Sequence, residues 1–162
     1  MPEPFQGYAS GGRPLLPYGL LLSVWLSGTG VLLGLARAMR RPLPQPTAAD
    51  VVLLGIATFH LSRVITKDEI TSFLRAPFTR FKGTGAPGET NEEPRKENEL
   101  QHAIGELVSC PFCMATWVAL GLTLGLAFFP RATRTIAGMF SSIALADALQ
   151  LAYGTAHEKA RQ

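Results

Sequence analysis

The stretch from Pro111 to Tyr153 reads PFCMATWVALGLTLGLAFF, PRATR, TIAGMFSSIALADALQLAY: two apolar runs five residues apart. Pro111 to Phe129 carries no charge, and Thr135 to Tyr153 carries only Asp147. A bilayer core about 30 Å thick takes roughly 20 helical residues at 1.5 Å each. Each run therefore predicts a membrane-crossing helix. Pro111 suits a first helical turn, where its missing N–H is no loss. Pro130 and Arg131 close the first run. A connection of only Pro130 to Arg134 forces the two helices to lie antiparallel as neighbours.

Two further runs precede this pair. Leu15 to Ala36 is uncharged and is bracketed by Arg13 on one side and Arg37, Arg40 and Arg41 on the other. Tyr18 stands near one end, where an interfacial aromatic is expected. Ala36-Arg37-Ala38 imitates a signal-peptide cleavage site. The run is longer than a signal peptide's apolar core and basic residues follow it, so it reads as an uncleaved span. Ala48 to Ile65 is shorter and carries His60 and Arg63. Pro42, Pro44 and Pro46 bar continuation from the first helix. Thr47 with Asp50 three residues on predicts a capping box. Arg63 lies near the far end, so its stem reaches the headgroups. These four runs predict an all-α, polytopic membrane bundle of two helix hairpins, the first span paired with the second and the third with the fourth. They divide the chain into an N-terminal segment (1–47), a membrane domain (48–153) and a short polar tail (154–162).

Composition agrees. Charged residues are only 17% of the 162, against a usual quarter. Between Lys67 and Glu106 the sequence crowds 14 of them. This pattern excludes a disordered chain, a disulfide scaffold and a nucleic-acid binder of the usual kind. In the connector from Thr66 to Glu106, Ile70, Phe73, Leu74, Phe78 and Phe81 recur at helical spacing among Lys67, Arg75, Arg80 and Lys82. The pattern predicts an amphipathic helical element in the membrane interface, broken or kinked at Pro77, offering residues 67–82 to anionic lipid. Gly83 to Asn98 is rich in Gly, Pro and Glu and reads as flexible. Gly83-Thr84-Gly85 is followed by Ala-Pro-Gly and not by a helix, so it is no nucleotide loop. A short helix over Asn98 to Val108 follows, with Leu100, Ala103, Ile104 and Leu107 as its apolar stripe.

Lys and Arg in short loops set orientation. With the N-terminus inside, the cytoplasmic segments hold nine of them and the opposite side five. Both termini are expected in the cytoplasm.

Cys110-Pro111-Phe112-Cys113 holds both cysteines of the chain. Three readings stay open. A thiol-redox pair is one, since a helix N-terminus favours the thiolate of the leading Cys. A metal pair for zinc or iron is another, with His102 in reach, although a closed site needs four ligands. The third is structural packing at a helix start.

Two longer stretches are distinctive. One is Phe59-His60-Leu61-Ser62-Arg63-Val64-Ile65-Thr66-Lys67-Asp68-Glu69-Ile70, followed by Leu74-Arg75-Ala76-Pro77-Phe78. The other is Gly105-Glu106-Leu107-Val108-Ser109-Cys110-Pro111-Phe112-Cys113, with Trp117 four residues on. In this order they resemble a bacterial membrane family of unknown function, domain of unknown function thirteen-sixty, which includes a sporulation-associated membrane protein. The resemblance covers about Val51 to Leu151 and leaves the first span as an N-terminal addition. It implies a membrane location. It singles out Arg63, Asp68, Glu69, Glu106, Pro111 and Trp117 together with the cysteines, and it implies no reaction.

Charges inside a bilayer usually face the bundle interior. Asp147 is placed to pair with His60 or Arg63, which share a helix face. Such a pair would lock helices, line a polar path or reach the interface. Gly30 with Gly34, and Gly121 with Gly125, form small-xxx-small motifs that let helices approach closely, within the chain or in a homo-oligomer. The sequence thus predicts a small inner-membrane protein that is not an enzyme. It would act as a structural or interaction component with lipid or a membrane protein as partner. A thiol-redox or metal-binding protein is the alternative, and a holin-like pore former a more distant one.

Overall fold

The computed structural model describes residue 8 and residues 12–40, 42–43 and 45–161. Arg41 and Pro44, invoked above, lie outside them. Helices dominate: α1 (Leu15–Ala38), α2 (Ala48–Thr66), α3 (Ser72–Arg75), α4 (Glu99–Ser109), α5 (Pro111–Phe128) and α6 (Pro130–Ala160). A two-stranded sheet, β1 (Thr79–Thr84) with β2 (Thr90–Pro94), sits between α3 and α4. Four of the helices, α1, α2, α5 and α6, are long and apolar enough to cross a membrane.

Local signals set the helix ends. The capping box forms: Thr47 accepts from the Asp50 N–H, and Asp50 accepts from the Thr47 N–H. Asn98 caps α4 by accepting from the Gln101 N–H at 2.7 Å. Cys110 both ends α4 and caps α5.

The core is small. Ala57 of α2, Val118 and Leu122 of α5 and Ala137 of α6 are buried together, and Leu53, Leu54, Leu61, Ile65, Met114 and Phe140 pack around them. Elsewhere large apolar side chains point outward along α1, α2 and α6, among them Leu22, Val52, Leu145 and Leu151. Apolar surface exposed on this scale and four span-length helices are compatible with a multi-pass membrane protein.

Polar contacts tie the three core helices. Arg134 grips Asp50 with two hydrogen bonds, 2.8 and 3.2 Å long, joining the start of α6 to the start of α2. The Ser141 hydroxyl donates to the Leu53 carbonyl at 2.9 Å, an interhelical bond of the kind expected in lipid. A Cβ at Gly125 would stand 2.6 Å from the Thr133 hydroxyl, whereas at Gly30, Gly34 and Gly121 it would meet nothing within 4 Å. Of the four small-motif glycines, Gly125 alone seats a close contact, at the turn into α6. Replacing Gly125 with Val is expected to loosen that turn, at a loss of about 1–3 kcal/mol as an overpacking change. A lowered thermal midpoint of the detergent-solubilised protein would record it, and an unchanged one would contradict it.

The structure corrects several expectations. The fold is not all-α. No helix continues from residue 70 to residue 82: α3 is only four residues long, and Phe81 lies in a strand. The stretch read as flexible forms a turn and the second strand. The third and fourth spans do form a hairpin, but its connection is shorter than expected, because α6 begins at Pro130 and runs on to Ala160 through the supposed polar tail. The first span does not form a hairpin packed on the second: α1 lies chiefly against α4 and α5, while α2 lies between α5 and α6. The proline-rich link allows this, since among its described residues no hydrogen-bonded turn holds the two helices side by side.

Candidate functional site: an ion-paired connector

The connector is built around one arginine. Arg75 is 1% exposed, and a buried guanidinium needs a partner for each of its five N–H groups. All are met. Nε donates to Glu92 Oε2 at 3.1 Å. Nη1 donates to the Ile65 carbonyl at 2.9 Å and the Thr71 hydroxyl at 2.6 Å. Nη2 faces Glu92 Oε1 at 2.7 Å, the Thr90 hydroxyl at 2.9 Å and the Asp68 carbonyl at 3.0 Å. Glu92 also accepts from the Thr79 and Thr90 hydroxyls, at 2.6 and 2.9 Å. Burial pushes the Glu92 carboxyl up, but the hydrogen bonds from Arg75, Thr79 and Thr90 outweigh it and hold the group below its ordinary range. Arg75 thus gathers the end of α2, the loop after it and both strands into one centre.

The hairpin forms for local reasons. Ala86-Pro87-Gly88-Glu89 closes with the Glu89 N–H donating to the Ala86 carbonyl at 2.8 Å. Gly88 has φ +78°, so Pro and Gly stand where a type II turn requires them. The strands pair antiparallel from Thr79 with Pro94 to Thr84 with Thr90, with an irregularity between Phe81 and Gly83. Chain leaving α2 joins this turn: the Thr90 N–H donates to the Lys67 carbonyl at 2.8 Å and the Glu69 N–H to the Gly88 carbonyl at 3.0 Å.

Cations and acids pair off across the connector. Arg63 donates to Glu89 through Nε at 3.0 Å. Arg80 meets Glu97 at 2.7 Å, and Lys82 meets Glu93 at 2.8 Å. Those contacts hold the Glu93 and Glu97 carboxyls below the ordinary range, through the hydrogen bonds from Lys82 and from Arg80 respectively. The positive field that residues 67–82 would offer to anionic lipid is therefore largely met from within. Ile70 (83% exposed), Phe73, Leu74 and Phe81 remain exposed among the described residues.

A second cluster lies on α4. Glu106 accepts from Arg13 at 2.7 Å and from the Tyr18 hydroxyl, which pins the start of α1 to α4. His102 turns Nε2 toward Glu106 at 3.6 Å and Nδ1 toward the Arg95 carbonyl at 3.1 Å. Its two ring nitrogens face these groups and not the cysteines. Arg13, Lys96, His102 and Glu106 line part of an open cavity of about 670 Å³. At Gly105 a Cβ would stand 2.5 Å from the Phe78 carbonyl oxygen, so α4 and the base of the hairpin touch backbone to backbone.

Cys110 and Cys113 form a disulfide, with Cα atoms 5.3 Å apart. Among the described residues no group of three or more His, Cys, Asp and Glu is placed to hold a metal ion. Asp147 Oδ2 lies 3.5 Å from His60 Nδ1, so of the two partners foreseen for it the structure places His60 there, and Arg63 goes to Glu89. Trp117 is half-buried on α5. The residues singled out in the first motif converge on the hairpin turn: Arg63 and Glu69 bond to it, and Asp68 bridges to Glu89. Sequence reading missed Glu89, Glu92, Thr79 and Thr90 as partners, and it placed Arg75 on a basic surface.

A family model described as "Protein of unknown function (DUF1360)" matches residues 53–153, more than half of the chain. The match begins inside α2 and leaves α1 outside. The UPF0713 protein YngL of Bacillus subtilis (strain 168) is 30% identical over 81 residues, 49% of this chain and 59% of that protein. The chain thus spans under two thirds of that relative's length. The sporulation protein YjcA of the same strain is 31% identical over 103 residues, 62% of this chain and 86% of that protein. No solved structure matches.

Proposed function

The chain belongs to that family of unknown function, and from this premise we propose that it is a multi-pass protein of the bacterial inner membrane whose connector works by contact and not by catalysis. α1, α2, α5 and α6 anchor it, and the connector is its working surface, turned toward the cytoplasm together with both termini. The observation that carries this reading is the connector itself. Its buried Arg75–Glu92 centre fixes a rigid platform on the end of α2. That platform holds Ile70, Phe73, Leu74 and Phe81 outward, exposed among the described residues. Rigid apolar anchors ringed by paired charges are what a protein interface uses. A second membrane protein is the partner the surface fits best, and the name of YjcA makes sporulation the process in which to seek it first.

A photo-crosslinking residue at Phe73, in native membranes, tests this. A discrete protein adduct is expected, and it should disappear when Ile70 and Phe81 are both replaced by Asp. Crosslinks to lipid alone would overturn the interaction reading. An alkaline phosphatase fusion after Gln162 is expected to be inactive; an active fusion would reverse the orientation.

A further inference from the structure

We propose that Cys110 and Cys113 are a redox-active dithiol–disulfide couple that exchanges electron pairs with cysteine pairs of partner proteins. This inference stands on the helix start and not on the platform reading above. The two sulfurs are bonded across the first turn of α5. They differ in setting. Cys113 is exposed, while Cys110 is half-buried and is the N-cap, its Sγ accepting the Cys113 N–H at 3.2 Å. Pro111 occupies the first turn. Phe112, 89% exposed, stands between the cysteines as an apolar contact for an incoming peptide. A structural staple gains little here, because a loop this short removes little chain entropy from the unfolded state.

The asymmetry assigns the steps. A partner thiolate attacks the accessible Cys113 Sγ, forming a partner–Cys113 disulfide. The Cys110–Cys113 bond breaks, and its electron pair leaves on Cys110. There the thiolate is stabilised by the helix N–H and the positive end of the α5 dipole. The partner's second thiolate then attacks its own mixed-disulfide sulfur and releases Cys113 as thiolate. The two protons of the partner dithiol end on Cys110 and Cys113 or in solvent. The partner is oxidised by two electrons and the couple is reduced by two. The reverse sequence with a disulfide-bearing protein restores the bond, with Cys113 attacking and Cys110 resolving.

The test uses the full chain in nanodiscs, equilibrated against mixtures of reduced glutathione and glutathione disulfide. It is then acid-quenched, denatured, alkylated with a mass-tagged maleimide and weighed. The wild-type chain is expected to pass between zero and two tags within the range of mixtures. Reduced Cys110→Ser, offered glutathione disulfide, is expected to accumulate a Cys113–glutathione adduct at least about ten-fold above wild type, because its resolving thiol is gone. Cys113→Ser should form far less adduct. A pair that keeps its disulfide in every mixture is a staple and overturns the proposal. A pair that stays reduced in glutathione disulfide alone, or that holds zinc instead of oxidising, also overturns it. Equal adducts on the two variants would overturn the assignment of Cys113 as the attacked sulfur. None of these outcomes bears on the crosslinking result at Phe73, so the two readings fail separately.

Discussion

Arg75→Ala is expected to unfold the connector while the membrane helices persist. Removing the guanidinium strands the Glu92 carboxylate, whose side chain is only 5% exposed. Breaking a buried pair by deleting one partner typically destabilises by about 3–5 kcal/mol. It also removes the donor to the Ile65 carbonyl and one of two donors to the Asp68 carbonyl, which keeps the Thr71 hydroxyl. The ties that remain are outer ion pairs, a few backbone bonds and the contact with α4, and two strands alone are marginal in water. Hydrogen exchange of the chain in nanodiscs should show lost protection over β1 and β2 and little change in α5. Glu92→Gln should be milder, because the amide keeps one acceptor oxygen. Arg75→Met with Glu92→Leu should recover much of the loss, since an apolar pair leaves no charge stranded. If Arg75→Ala leaves the hairpin protected, the pair is not its centre.

The same centre sets a pH dependence. Glu92 is held below its ordinary value in the folded chain. A depressed carboxyl contributes stability that is present above the unfolded value of about 4.5 and is lost as pH falls through the folded value. The hairpin should therefore lose protection on the acid side and not between neutral pH and pH 8. Arg75→Met with Glu92→Leu should abolish that acid sensitivity. Persistence of the full effect in the double variant would assign it elsewhere, to Glu93 or Glu97.

Most of the helical architecture was legible in the sequence because its cause is local. Length, lack of charge and the Thr47 and Pro111 signals marked where helices begin, with no knowledge of neighbours. The connector misled because five apolar residues at helical spacing look alike whether they line a helix or are shared among a turn, a short helix and a strand. The corrective signal was present. Pro87-Gly88 is a turn dipeptide in its proper setting, and it lies between one segment carrying Arg80 and Lys82 and another carrying Glu92 and Glu93. Opposite charge on two segments flanking a turn is a hairpin pattern. The burial of Arg75 could not be read this way. It depends on Ile65, Asp68, Thr71, Thr90 and Glu92 meeting at one point, which is tertiary. The pairing of α1 was misjudged for a related reason. A short link limits how far apart two helices lie but does not oblige them to touch, and the contact that places α1 is Glu106 with Arg13 and Tyr18, nearly ninety residues away in sequence.

Gly105→Ala offers the sharpest test of how that placement is held. In an exposed helix interior this change stabilises by up to about 1 kcal/mol, because alanine leaves less backbone freedom to lose. At Gly105 the new Cβ would lie 2.5 Å from the Phe78 carbonyl oxygen, and 3.0 and 3.1 Å from Pro94 Cβ and Cα. The first and last of these are backbone atoms, so no side chain can swing aside. Phe78 is also held there, its carbonyl accepting the Arg95 N–H at 2.9 Å. An overpacking loss of about 1–3 kcal/mol should exceed the propensity gain, and Gly105→Val should lose more. Relief requires α4 to move away from the hairpin, and Glu106 is the next residue along. The same change should therefore loosen the grip on Arg13 and Tyr18 and free the start of α1. The expected record is faster hydrogen exchange in two separated places, the base of the hairpin and the first turn of α1. Gly121→Ala, whose Cβ meets nothing within 4 Å, should change neither. A Gly105→Ala chain as stable as the parent would mean that α4 and the hairpin do not meet backbone to backbone. An effect confined to the hairpin would mean that α1 is held by something other than Glu106.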